Sequence, residues 1–151
     1  MALNKQIHYG KLIRRQVTLV SIEMFPYFLK LGQERQLGKT AERILKYLRD
    51  SGKTSTTDLR KELGFQEKEQ RREFLRAIDE LQIAFAIAIV KREKAPRYTY
   101  TYDLMERWMP KSIFEKAKVI TTEDAREKII SKMLENAVIT KPQQSGRFIR
   151  F

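Results

Sequence analysis

The chain has no cysteine. It therefore forms no disulfide and offers no thiolate to a metal, and a reducing compartment is its expected home. It has a single histidine, His8, with no H-x-x-x-H or E-x-x-H spacing around it, so neither a metal site nor acid–base catalysis is expected there. There is no glycine-rich phosphate loop, no nucleophile motif and no carboxylate pair at catalytic spacing. No catalytic residue, metal or cofactor is assigned. No apolar run approaches membrane-spanning length, and the opening residues MALNKQIHYG lack a basic region followed by an apolar core and cleavage site. A cytoplasmic protein with no membrane partner is expected.

Acidic side chains are also in short supply. Nineteen of them face 31 lysines and arginines, for a net charge of +12 over 151 residues. Such a field favours polyanions, and nucleic acid is the first candidate. The excess is uneven: residues 1–39 hold 7 cations and 2 anions, residues 40–64 hold 6 and 4, and residues 65–82 hold 4 and 5.

Residues 40–103 organise the chain. A first helix is predicted with Thr40 as N-cap, Ile44, Leu45 and Leu48 on one face and Gly52 just past its end. A short helix follows from Ser55 or Thr56, where Ser55 and Asp58 have capping-box-like spacing; it buries Leu59 and Leu63 and stops at Gly64. A third helix runs from about Gln66 to Gln82 over an apolar stripe of Phe74, Leu75, Ile78 and Leu81. The run IAFAIAIV, residues 83–90, reads as a strand with Ile83, Phe85, Ile87 and Ile89 on one face and alanines on the other, where a neighbour can approach closely. YTYTY, residues 98–102, reads as its hairpin partner. Three helices followed by a basic hairpin give a winged helix-turn-helix, so the expected fold is mainly α with a small β-hairpin.

Flanking this unit, residues 1–16 read as an irregular arm. Residues 17–31, VTLVSIEMFPYFLKL, read as an apolar packing element in which Pro26 kinks or restarts a helix. That element either covers the winged helix of its own chain or pairs with a second copy as a homodimer. The expected division is thus 1–39, 40–103 and 104–151. In the last part Trp108 anchors the chain to the core, Ser112 caps a short helix, and Thr121 or Thr122 caps a longer one that buries Ile129, Ile130, Met133 and Leu134. Residues 125–151 then echo the helix, cap and short-helix pattern of residues 41–65, with Thr140 as cap and Pro142 in the first turn, as a truncated second winged helix.

Candidate contacts follow from helical geometry. With Phe74 and Ile78 inward, Lys68, Arg72 and Arg76 form an outward ladder at i+4 steps, suited to phosphates or guanine edges. The competing reading is that Glu69–Arg72 and Arg76–Glu80 are ordinary surface pairs, worth about 0.3–0.5 kcal/mol each. The hairpin tip supplies Lys91, Arg92, Lys94 and Arg97 for the DNA backbone, unless it is merely solvated. Thr56 and Thr57 can donate to phosphate or simply cap their helix. Tyr98, Tyr100 and Tyr102 can stack on bases or pack on the core.

The succession TSTTDLRKELGF, AIDELQIAFAIAIV, YTYTYDLMERWMP and AREKIISKMLENAVITKPQQSGRFIRF resembles the winged-helix portion of the AlkZ-like tandem winged-helix DNA glycosylases, over residues 40–151. YDLMERWMP is its most specific element. Activity in that family rests on a Gln-x-Gln or Gln-x-Asp pair, and every glutamine here departs from that pattern, including Gln6, Gln33, Gln66, Gln143 and Gln144. The resemblance thus implies a DNA-binding scaffold without the family's chemistry. The expected function is binding of double-stranded DNA, as in a transcriptional regulator. The alternatives are a protein–protein interaction module or an accessory DNA-repair factor.

Overall fold

A computed structural model describes residues 7–13, 16–94 and 98–136. The protein is mainly helical with small antiparallel sheets, and its central element order is consistent with the winged helix expected. That centre comprises α2 (Lys39–Ser51), β3 (Thr54–Ser55), α3 (Thr56–Glu62), α4 (Lys68–Ile83), β4 (Ile87–Lys94) and β5 (Tyr98–Leu104), with the sheet in the order β3-β5-β4. Around it lie the β1 (Ile7–Ile13) and β2 (Gln16–Ser21) hairpin, α1 (Phe25–Gln33), α5 (Met105–Trp108), α6 (Lys111–Val119) and α7 (Thr122–Asn136).

Two apolar cores lie on either side of β4. Ile44, Leu48, Leu59, Phe74, Ile78, Leu81 and Ile87 close the first, between the central helices and the sheet. Phe25, Leu29, Phe85, Ala88, Met105, Ile113 and Ile129 close the second, which joins α1, α6 and α7 to the back of the wing. Strand alternation divides β4 between them: Ile87 and Ile89 face one core, Ala88 and Val90 the other. The apolar face of α1, Phe25 and Leu29, is therefore buried within its own chain.

The run IAFAIAIV differs from its sequence reading. α4 continues through Ile83, and the strand starts only at Ile87. Between them the chain turns through Phe85 at φ 56°. Ala86 N–H donates to Leu81 O at 2.9 Å and Phe85 N–H to Gln82 O at 3.0 Å, the paired bonds of a helix stop usually built on glycine. The turn places the Phe85 ring edge-on to Phe25, centroids 5.2 Å apart, and stacked on Phe28 at 5.7 Å. Phe85 thus faces the second core, not the face of Ile87. A close approach does occur at this turn, but it is set by Gly32 of α1 against backbone and not by the alanine side chains: a Cβ on Gly32 would lie 2.4 Å from Ala84 O, so no side chain fits there without parting α1 from the turn.

Other boundaries moved for local reasons. Residues 1–16 read as irregular because Gly10 and the polar residues interrupt any visible alternation, yet β1 and β2 pair from Ile7↔Ser21 to Ile13↔Gln16. Pro26 neither kinks nor restarts a helix; it occupies the first turn of α1, where its missing N–H costs no bond. Gly38, not Thr40, is the N-cap of α2, and the Thr40 hydroxyl bonds Glu73 instead. Leu75 is 46% exposed, and Ala77 takes its place in the buried stripe of α4. Ser112 lies inside α6, which begins after Pro110 without a side-chain cap. Leu134 is likewise 46% exposed, Ile130 and Met133 are half-buried, and Ala125 joins Ile129 in the buried face of α7.

The expected caps that do form are specific. Ser55 accepts from Asp58 N–H at 3.1 Å and Thr121 from Asp124 N–H at 3.1 Å. Gly52 and Gly64 end their helices at φ 80° and 79°. Trp108 packs against the second core. The proposed second cap at Thr140 and Pro142 lies outside the described residues.

Candidate nucleic-acid interface

α4 is positioned by Phe74, Ala77, Ile78 and Leu81, which lock one side of it into the first core. This leaves Lys68, Arg71, Arg72, Leu75 and Arg76 exposed on the other. Arg71 falls outside the sequence-based ladder because a strict i+4 series skips it and because its i,i+3 spacing to Phe74 places it beside the buried stripe.

Of the two carboxylates expected to neutralise this ladder, Glu69 has no ion pair with Arg72 among the described residues and Glu80 points elsewhere, as does Glu73 of the same helix. Glu80 accepts the Gly38 N–H at 2.7 Å and Glu73 bonds the Thr40 hydroxyl, so both serve the first turn of α2. Among the described residues no ion pair joins Lys68, Arg71, Arg72 or Arg76 to a carboxylate. Other arginines behave differently. Arg43 donates to Leu63 O at 3.1 Å, Arg60 to Phe65 O at 3.0 Å, and Arg107 to Leu48 O and Arg49 O, both at 2.8 Å. Those guanidinium groups hold helix ends and turns; the ones on α4 have no hydrogen bond or ion pair among the described residues.

The C-terminal half of the α4 face is covered. β1 lies against it, with Lys11 N–H donating to the buried Gln82 Oε1 at 3.1 Å and Lys11 Nζ 3.6 Å from Asp79. The open surface is accordingly the first half of the helix, the part that enters the major groove in helix-turn-helix proteins.

In the wing, Lys91, Arg92 and Lys94 are exposed. Lys91 is paired with Glu93, and the Arg92 guanidinium sits 4.2 Å over the Tyr98 ring. Glu93 and Tyr98 thus fix two of the three cations in place, while Lys94 has no described ion pair. Arg97 lies outside the described residues. One extra residue, Val90, bulges between the pairs Ile89↔Tyr102 and Lys91↔Thr101, marking the point where the strand leaves the core and becomes charged.

The Thr56 hydroxyl donates to Tyr100 O at 2.9 Å and ties α3 to the wing; Thr57 is exposed at the start of the same helix. Tyr102 belongs to the first core, and burial pushes its phenol well above the usual range, with Tyr100 and Asp79 adding to the effect. Tyr100 packs against the same core, and only Tyr98 is exposed.

A cleft of 590 Å³ between α1 and α6 has Glu23 and Lys116 as its charged lining, a single carboxylate and not a pair. No group of three potential metal ligands occurs among the described residues. No helix among them is long and apolar enough to cross a membrane.

A protein-family model described as AlkZ related matches residues 1–150, which extends the resemblance to the β1–β2 hairpin and α1. No curated protein and no solved structure matches the chain.

Proposed function

We propose, from the premise that this chain belongs to the AlkZ-related family, that it binds double-stranded DNA through the open half of α4 and the wing, as an accessory factor in DNA repair. The observation that carries this reading is the contrast among its arginines. Arg43, Arg60 and Arg107 grip carbonyls of their own chain, whereas Arg71, Arg72 and Arg76 are grouped on one exposed helix face and have no hydrogen bond or ion pair among the described residues. Like charges at this spacing repel one another, and a phosphate backbone relieves that repulsion.

The family relation favours repair over transcriptional regulation, the role suggested by the element order alone. The missing Gln-x-Gln or Gln-x-Asp pair favours binding over base excision. Incubation with an alkylated duplex should therefore release no free base above the protein-free rate, and catalytic release would assign the chain its own chemistry. The use of the same helix as a protein-interaction surface is the competing reading; its unneutralised cations favour a polyanion.

The wing makes a smaller contribution on this reading, because Glu93 and Tyr98 already engage Lys91 and Arg92. Replacing Lys91, Arg92 and Lys94 with alanine should weaken binding to a mixed-sequence duplex about tenfold near physiological salt and flatten the salt dependence by up to about three phosphate contacts. Fluorescence anisotropy across a salt series checks both numbers. Unchanged affinity and slope would remove the wing from the interface.

A further inference from the structure

Leu75 is an exposed leucine in the middle of an otherwise polar helix face, and it belongs to neither core. At about 100° per residue, Arg71 lies about 40° to one side of it, while Lys68, Arg72 and Arg76 lie about 20°, 60° and 100° to the other. Leu75 is thus bracketed by cations that reach outward on both flanks. A helix seated in the major groove with those cations on the two phosphate rails directs the residue between them at the groove floor. There the apolar group a base pair presents is the C5-methyl of thymine.

From this placement, and resting on the DNA-binding reading above, we infer that Leu75 is a specificity-determining residue that reads thymine methyl groups in the major groove. The charge around it identifies the occupant. An apolar protein surface would have to bury four cations that have no ion pair among the described residues in order to reach Leu75, whereas duplex DNA neutralises them with its phosphates. Most of the affinity is electrostatic, and the leucine acts on the difference between duplexes that carry the thymine methyl and duplexes that lack it.

The test is the affinity of the full chain for a mixed-sequence duplex and for the same duplex with deoxyuridine in place of every thymidine, measured for the parent and for Leu75→Ala at one salt concentration. Leu75 is exposed, so the variant retains the fold. The parent should bind the thymidine duplex about fourfold more tightly, the factor expected for burial of one methyl-sized group, and Leu75→Ala should bind the two equally. Equal binding of both duplexes by the parent overturns the assignment and leaves DNA binding intact. Discrimination that survives in Leu75→Ala also overturns it, by moving the methyl contact to another residue. Failure of the parent to bind either duplex removes the underlying DNA reading as well.

Discussion

Replacing Arg72 and Arg76 with glutamate should weaken binding to duplex DNA about 100-fold near 0.1 M salt, since the pair removes two phosphate contacts and sets two carboxylates against the backbone. Their stability cost should be small. Both side chains are exposed and neither is tied to a carboxylate among the described residues, so the change falls within about 0.5 kcal/mol. A matched control separates local contact from net charge. Arg126→Glu with Lys128→Glu places the same charge change on exposed positions of α7, and should reduce affinity only a few-fold. Equal losses in the two double variants would mean that DNA responds to the overall field of the protein and not to the face of α4. Thermal melting of both variants checks that the fold is retained.

The second large effect lies at Phe85. Its ring joins Phe25 and Phe28 and attaches α1 to the end of α4, so Phe85→Ala should destabilise the protein by about 3–4 kcal/mol. Phe85→Gly loses the same ring but suits the backbone, because the residue sits at φ 56°. It should recover about 1 kcal/mol of left-handed strain. The glycine variant is therefore expected to melt above the alanine variant by roughly 2–4 °C, the reverse of the order found inside a helix. Thermal denaturation of the two variants decides this. A lower melting point for Phe85→Gly would show that the turn carries no such strain.

Phe85 also shows where the sequence stops being legible. A helix end built on a left-handed turn is normally announced by glycine, and here a buried aromatic ring takes its place. Ala-Phe-Ala-Ile-Ala-Ile then alternates like a strand from its first residue, although its first three positions belong to a helix end and a turn. Gly52, Gly64, and the caps at Ser55 and Thr121 mark their helices in both sequence and structure, whereas the caps expected at Thr40 and Ser112 fall inside theirs. The N-terminal hairpin fails for a different reason. Its pairing partner is not adjacent to a recognisable turn signal, and its alternation is mixed with basic residues. Its packing against α4 is long-range, as with Lys11 and Gln82, and no local pattern reports it.

The candidate interface was legible in part. Helical spacing put Lys68, Arg72 and Arg76 on one exposed face. It could not show that Glu73 and Glu80 turn toward α2, which decides whether those cations are neutralised, because both contacts depend on Gly38 and Thr40 across the fold. Nor could it distinguish Leu75 from a core residue: a leucine beside Phe74 extends the apolar stripe in sequence, and the packing of Ala77 excludes it. The exposed leucine and the unneutralised arginines come from the same fact, the rotation of α4 about its own axis.

The most direct measurement is the affinity of the unmodified protein for a mixed-sequence duplex across a salt series. DNA binding through α4 and the wing predicts a linear fall of log affinity with log salt, with a slope of about −4 to −6 for some five to seven phosphates neutralised. A flat response, or no binding at the lowest salt, would contradict it.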